Sequence, residues 1–333
     1  MNRLVFIATW LAAAPLGGAA VFKEPFLAAP DARGWRSFGD TTLFRWNATN
    51  QNLEVTWDSS RTNSFFYRSL GTILTKADDF SFSFDLRLDD IRVGSTPGKT
   101  NEFEIAVGLM NYSSATNANA FRGAGVSSIY GVRNLVEFDY FPDAGFGDTV
   151  ATTVVSTNNR IFPVHNFPLT MTPGANFRIT LAYTASNQVL QTSATRNDLP
   201  FGLPPNNTLG DLSLAGRPDF RVDSFAVISY SDAIQIGDPR YYGSVLAHGS
   251  VDSVQIITPP PPVAGVQLQL FAGTSRVQFL SQINWTYLLE RTTDFVSWSA
   301  SSIAGTGTGG TIILTDTNPP APSLFYRIRA ERP

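Results

Sequence analysis

The chain has 333 residues, of which 43% are hydrophobic and only 15% are charged, with a formal net charge of −3 and no cysteine. The lack of cysteine excludes disulfides, thiol catalysis and thiolate metal sites, and the lack of any basic run argues against nucleic acid as a partner. Phe is frequent, with 25 residues, and Ser, Thr, Asn and Gln supply most of the polarity, so the composition favours β-sheet.

The first twenty residues have the pattern of a secretion signal. Arg3 precedes an apolar run from Leu4 to Ala14, and small residues follow as far as Ala20. The apolar run is shorter than the roughly 20 residues that span a membrane, so no membrane insertion is expected. We predict that residues 1–20 are a signal peptide and that the mature protein is exported, to the extracellular space or a periplasm.

Alternation of apolar and polar residues with a period of two predicts antiparallel strands across residues 21–257. The clearest case is 80–88, where large apolar side chains alternate with Ser, Ser, Asp and Arg, as expected for a strand with one wet face. No amphipathic helix of three turns is found. Further predicted strands, separated by turns rich in Gly, Pro and Asp, lie at 53–57, 64–67, 103–109, 136–140, 177–183, 189–195, 220–230 and 250–257.

Acidic residues are concentrated around the strand predicted at 136–140. Glu137 and Asp139 are two residues apart, so they project from the same face of an extended strand, about 7 Å from each other. Asp143 and Asp148 follow in a segment that can fold back towards them. Carboxylates and backbone carbonyls are the hard oxygen ligands that Ca²⁺ prefers. The segment is therefore either a calcium site or a solvated strand end followed by a polar turn.

This segment resembles the metal-binding strand of the L-type lectins, the legume-lectin-like branch of the concanavalin A-like sandwich. The family strand reads V-E-[LF]-D-x-[FY]-x-N and is followed by an Asp in the next loop. Residues 136–142 match it, with Asp143 in place of the Asn and Asp148 in place of the loop Asp. The resemblance implies an all-β, concanavalin A-like jelly-roll sandwich over residues 21–257.

The resemblance also implies a set of ligand residues. The family's metal-binding His is missing, and Thr152 and Thr153 occupy its region, so Ca²⁺ alone is expected and Mn²⁺ is not. Glu137 and Asp139 correspond to the transition-metal ligands, and the Ca²⁺ ligands would be Asp139, the Phe141 carbonyl, Asp143 and Asp148. The carbohydrate would contact Asp143, Phe141, the glycine loop at Gly123 and Gly125, and Glu102, which is a loose counterpart of a sugar-binding Asp.

Glycoside hydrolases of the laminarinase type share this sandwich and carry three acids in the pattern E-x-D-x-x-E. Here Pro142 stands at the third position, and Asp143 is one residue late. No G-x-S-x-G, H-E-x-x-H or P-loop motif occurs. We therefore expect a secreted, non-catalytic carbohydrate-binding protein. The alternatives are a glycan-active hydrolase of the same fold and a structural or adhesive extracellular protein.

Four consecutive prolines, 259–262, indicate a domain boundary, and we predict a linker over residues 258–264. The block 265–333 shows short predicted strands at 267–271, 276–280, 286–290, 298–302, 311–315 and 324–330. It resembles the small fibronectin-III-like modules of secreted bacterial proteins in its segments W-T-Y-L-L-E (285–290), D-F-V-S-W (294–298), L-T-D (314–316) and L-F-Y-R (324–327). The resemblance implies a small Ig- or fibronectin-III-like β-sandwich with an accessory role.

Overall fold

The computed structural model describes residues 19–118, 133–143, 147–202, 207–209, 219–232, 243–271, 273–319 and 324–332. The chain divides into a large unit, Ala20–Pro259, and a small unit that contains Pro260–Pro333. The predicted signal peptide lies outside the described residues except for its last two positions. Among the described residues, no helix has the length and apolar character needed to cross a membrane.

The described part of the large unit is almost entirely β-structure. Its helical turns are short: α1 covers Tyr112–Ala115, and single 3₁₀ turns cover Pro30–Arg33 and Thr41–Leu43. The strands, in chain order, are β1 (Ala20–Glu24), β2 (Trp35–Phe38), β3 (Phe44–Asn47), β4 (Asn52–Asp58), β5 (Ser64–Leu74), β6 (Phe80–Val93), β7 (Ile105–Met110), β8 (Leu135–Phe141), β9 (Thr149–Val155), β10 (Ile161–Asn166), β11 (Asn176–Thr184), β12 (Val189–Arg196), β13 (Leu199–Pro200), β14 (Asn207–Leu209), β15 (Val222–Ser229) and β16 (Val245–Thr258).

These strands form two antiparallel sheets that share one core. The nine-stranded sheet has the order β13-β12-β11-β6-β16-β4-β3, with β1 on β16 and β14 on β12, and the seven-stranded sheet has the order β10-β9-β8-β7-β15-β5-β2. Phe82 and Phe84 of the first sheet lie with their ring centres 5.7 Å from Phe225 and 5.9 Å from Phe138 of the second. The chain crosses between the sheets repeatedly. The predicted all-β jelly-roll sandwich is therefore confirmed.

The period-two pattern correctly predicted the face that each strand turns to the core. On β6 every apolar residue of 80–88 is buried in the common core, while on the other face Arg87 is exposed and Ser81 and Asp85 are partly exposed. Strands β7, β8 and β9 depart from the prediction, because all of their residues are buried. The expected wet face is thus wrong for the middle of the seven-stranded sheet, where both faces are covered. Strand β9 was not predicted, because its sequence TVATTVV lacks a regular alternation of apolar and polar residues.

A hydrogen bond between two threonines joins the two sheets across the core. The hydroxyl oxygens of Thr152 on β9 and Thr192 on β12 are 2.6 Å apart, and both residues are buried. Thr152→Val alone would leave the Thr192 hydroxyl without this partner, so we expect the free energy of unfolding to fall by about 1–3 kcal/mol. Thr152→Val combined with Thr192→Val should recover most of this loss, as measured by urea denaturation. Strictly additive losses in the double variant would contradict the pairing.

The described residues of the small unit form two short antiparallel sheets, β17-β18-β22 and β20-β19-β21, with β23 on β19 in the second sheet. Phe279 and Tyr287 meet in its core with ring centres 5.0 Å apart. The predicted strand at 298–302 shrinks to two residues, and the first strand begins inside the predicted linker. The fibronectin-III-like resemblance stays a prediction. The strands are β17 (Val263–Phe271), β18 (Thr274–Ser281), β19 (Thr286–Thr292), β20 (Ser299–Ala300), β21 (Gly305–Thr306), β22 (Thr311–Asp316) and β23 (Phe325–Glu331).

Candidate functional site

The predicted acidic strand is β8, which lies in the interior of the seven-stranded sheet between β7 and β9. Phe138 and Tyr140 belong to the core between the sheets. Glu137 and Asp139 therefore project from the outer face of the sheet, and both are 0% exposed. The alternative interpretation, a solvated strand end, is excluded by this burial. The two acids share one covered face of the sandwich.

Glu137 is held by a residue that is distant in the chain. The hydroxyl group of Tyr230, just beyond the end of β15, donates a hydrogen bond of 2.8 Å to its Oε2 atom. Gly108 on β7 lies directly opposite Glu137 in the sheet. A Cβ atom at position 108 would lie 2.4 Å from the carbonyl oxygen of Val136 and 2.7 Å from the Cβ of Glu137. Glycine is therefore required for β7 and β8 to approach each other at this point.

Asp139 is held from the neighbouring strand β9. The hydroxyl group of Thr153 donates a hydrogen bond of 2.5 Å to its Oδ2 atom. The residues paired with Asp139 on either side are Ala106 and Ala151, whose small side chains leave space above the sheet for a carboxylate. Thr153 lies in the region where the resemblance would place a His. Thr152 points instead into the core.

Asp148, just before β9, contacts two residues at the end of β8. Its Oδ1 accepts a hydrogen bond of 2.7 Å from the backbone N–H of Asp143, and its Oδ2 accepts one of 3.2 Å from the hydroxyl of Tyr140. Burial, followed by the charge of Asp148, raises the pKa of Tyr140, so that the phenol stays neutral and remains a donor. The backbone N–H of Met171 donates to the same hydroxyl oxygen at 3.2 Å. Asp143 itself is exposed and has a left-handed backbone, with φ of 57°.

The predicted ligand residues are only partly brought together. Phe141 packs its side chain against Ala151 on the outer face, and Glu102 is partly buried in the segment before β7. Gly123 and Gly125 lie outside the described residues. Within the described part of the chain, no three His, Asp or Glu side chains are grouped closely enough to hold a metal ion. The predicted sugar and Ca²⁺ ligands stay predictions.

Asp232, a further buried acid that was not predicted from the sequence, connects two segments of the large unit. Asp232 accepts a hydrogen bond of 2.5 Å from the ammonium group of Lys99, and its other oxygen accepts bonds from Ser59 and Thr96 at 3.1 and 3.2 Å. Lys99 is three residues before Glu102, and Asp232 is two residues after Tyr230. The ion pair therefore connects the segment that leads to Glu102 with the segment whose Tyr230 donates a hydrogen bond to Glu137. No local sequence pattern marks either partner.

Comparisons with known proteins give only remote similarities. No protein-family model and no curated protein matches the chain. Among solved structures, peanut lectin in complex with a nine-residue peptide matches with a TM-score of 0.44 and 16% identity over 72% of this chain and 97% of that one. Basic winged bean lectin with Tn-antigen matches with a TM-score of 0.42 and 15% identity over 73% of this chain and 100% of that one.

Lectin I from Ulex europaeus, in complex with a methyl glycoside of α-L-fucose, matches with a TM-score of 0.42 and 11% identity over 72% of this chain and 98% of that one. At these TM-scores and identities, the comparisons assign neither a family nor a ligand to this chain. The assignment of a function therefore depends on the residues of the site.

Proposed function

We propose that this protein is an exported, non-catalytic, lectin-like protein that binds carbohydrate at the end of β8 and at the loop that follows. The observation that carries the proposal is the pair of fully buried acids, Glu137 and Asp139, on the outer face of the seven-stranded sheet. Burying carboxylates costs free energy unless hydrogen bonds compensate for the loss of water. Two buried acids side by side on one strand face therefore mark a candidate functional site.

The two buried acids and the exposed acid Asp143 have different roles in this proposal. Glu137 and Asp139 accept hydrogen bonds from Tyr230 and Thr153 and are closed to solvent, so they do not contact the sugar directly. Asp143 is exposed, and its backbone is fixed by Asp148. A carboxylate held in this way can accept hydrogen bonds from sugar hydroxyl groups. We therefore assign the direct sugar contact to Asp143.

The burial of both acids also supports a non-catalytic function. A glycosidase needs two carboxyl groups that reach the scissile bond from opposite sides. Neither Glu137 nor Asp139 is open to a substrate, and Pro142 occupies the position of the third acid in the hydrolase pattern. The glycan-active hydrolase of the same fold therefore has no observation in its favour here.

A glycan array with the tagged mature protein tests the function. We expect binding to a defined set of glycans and a loss of about tenfold or more in affinity for Asp143→Ala, since a hydrogen bond to a charged group contributes about 1.5–3 kcal/mol. Asp31→Ala, at an exposed acid far from β8 in the sequence, is the matched control and should bind normally.

Two results would contradict the proposal. If no glycan binds at all, a structural or adhesive role is favoured. If laminarin or xylan is hydrolysed and Glu137→Gln abolishes that hydrolysis, the protein is an enzyme.

The Ca²⁺ prediction has its own test. The donors fit Ca²⁺ by their chemistry, but the carboxylate of Asp148 is turned to the hydroxyl of Tyr140. If Asp139, Asp143 and Asp148 bind Ca²⁺, the ion competes with that hydroxyl for Asp148. We expect Ca²⁺ to raise the melting temperature of the protein, by the equivalent of about 2.7 kcal/mol at a hundredfold excess over its dissociation constant.

Two variants sharpen this test. Tyr140→Phe removes the competing hydroxyl and should enlarge the response to Ca²⁺, whereas Asp139→Asn should abolish it. Asp85→Asn, on the other sheet, is the control and should respond as the unmodified protein does. Identical melting curves in Ca²⁺ and in chelator, for both the unmodified protein and Tyr140→Phe, would show that the site binds no calcium.

A further inference from the structure

A groove of about 580 Å³ lies on the outer face of the nine-stranded sheet, on the other side of the sandwich from Glu137. Its floor is formed by β4 and β16, where Thr56 and Ser250 project outwards. One wall is the 3₁₀ turn Thr41–Leu43 with the start of β3, and the other is β6 near Arg87. This volume falls within the range of about 300–1,000 Å³ that is typical of ligand sites.

A β-bulge shapes the wall on β6. In the pairing of β6 with β16, Gly249 faces Leu88 and His248 faces Asp90, so that Asp89 is an extra residue. A Cβ atom at position 249 would lie 2.1 Å from the carbonyl oxygen of Arg87, which only glycine avoids. Bulges bend a strand and redirect its side chains, and they are frequent beside functional sites. The bulge therefore makes this surface concave, unlike the solvent-exposed face of a flat sheet.

The charges of the groove are balanced internally. Arg87 pairs with Asp89 at 3.1 Å, and Arg45 pairs with Glu54. A ligand that is itself an ion would have to break these pairs, and an apolar ligand would bury polar groups without partners.

The other polar groups that line the groove are amides, hydroxyls and an imidazole: Thr42, Asn50, Asn52, Thr56, His248 and Ser250. This mixture of donors and acceptors suits a neutral ligand rich in hydroxyl groups, because a hydroxyl both donates and accepts.

The polar surface continues beyond the groove along β6 and β16. Ser250 pairs with Arg87, and two residues further on Asp252 pairs with Asp85. Arg178 of β11 donates hydrogen bonds to Asp85 at 3.0 Å and to the hydroxyl of Ser83 at 2.6 Å. A row of polar side chains therefore leads out of the groove across the face of the sheet. Such a row can accommodate successive units of a chain-like ligand.

We propose that this groove is a second carbohydrate site, which binds a neutral oligosaccharide chain and acts independently of the site at Asp143. It goes beyond the proposed function, since it lies on the other face of the large unit and shares no residue with β8. A protein with both sites can bridge two glycan chains, or two parts of one chain.

Isothermal titration of the whole protein with neutral hexasaccharides of glucose and of xylose tests the proposal. Ser250→Trp, which fills the floor of the groove, and Arg87→Ala, which removes a rim group, should each weaken binding by about tenfold or more. Gln191→Ala, an exposed residue on β12 of the same sheet, should bind normally. In Asp143→Ala the isotherm should lose at most the contribution of the site at β8 and should keep the component that the two groove variants remove, which separates the groove from the site on the other face.

Three results would overturn the proposal. One is the absence of binding to every neutral hexasaccharide. A second is binding that survives both groove variants but is lost in Asp143→Ala, which would place the ligand at β8. The third is binding restricted to sulfated or uronic oligosaccharides and abolished by salt, which would show that the groove recognises anions. Because Arg87→Ala changes an exposed side chain, it remains informative even if Ser250→Trp fails to fold.

Discussion

Asp232→Ala is expected to lower the free energy of unfolding of the large unit by about 3–5 kcal/mol. The Asp232 side chain is 3% exposed and the Lys99 side chain 25% exposed, so removing the carboxylate leaves an ammonium group largely out of water without its counter-charge. Ser59 and Thr96 lose their acceptor in the same step. Urea denaturation followed by far-ultraviolet circular dichroism measures the loss. Glycan affinity should fall as well if the prediction for Glu102 is right, because this ion pair holds the segment that carries that predicted sugar ligand.

An exposed ion pair is the matched control for this variant. Arg87 and Asp89 are both 52% exposed, so Asp89→Ala should change the stability by less than about 1 kcal/mol. The comparison separates the burial of the pair from the presence of opposite charges. If Asp232→Ala costs no more than Asp89→Ala, the buried pair does not hold the two segments together.

Gly108→Ala is expected to be the most damaging small substitution on the sheet that carries the candidate site. The added Cβ would lie 2.4 Å from the carbonyl oxygen of Val136 and 2.5 Å from the Cα of Glu137, and these are backbone atoms in the interior of a sheet. The strands must separate to accept the methyl group, and we expect a loss of about 3 kcal/mol or more. Hydrogen exchange should become faster in β7 and β8 first, and glycan binding should be lost.

Gly310→Ala is the control, because it adds the same methyl group at a position where no other atom is close. The nearest atom to a Cβ atom at position 310 is the hydroxyl oxygen of Thr308 at 3.7 Å, an ordinary contact distance. The free energy of unfolding of this control should therefore lie within about 0.5 kcal/mol of that of the unmodified protein. A stable Gly108→Ala variant that still binds glycans would show that β7 and β8 are not as close as described.

The candidate site could be predicted from sequence only as far as local spacing allows. The two-residue separation of Glu137 and Asp139 placed them correctly on one face of a strand, because side chains alternate along any extended backbone. Their partners could not be predicted. Tyr230 is 93 residues from Glu137, and Thr153 is 14 residues from Asp139 on a strand without alternation. The antiparallel register that brings them together has no signature in the local sequence.

The sequence by itself determined the all-β fold and the position of the acids on β8. It also determined which face of a strand enters the core, where the other face is exposed to solvent. These properties follow from composition and from the period of a single strand. Only the tertiary structure decided that the outer face of β8 is covered, that Asp148 turns to Tyr140 and that a bulge at Asp89 shapes a groove on the opposite sheet. The physical reason is that a strand's pattern specifies which way a side chain points, whereas strand pairing and sheet packing decide what it meets there.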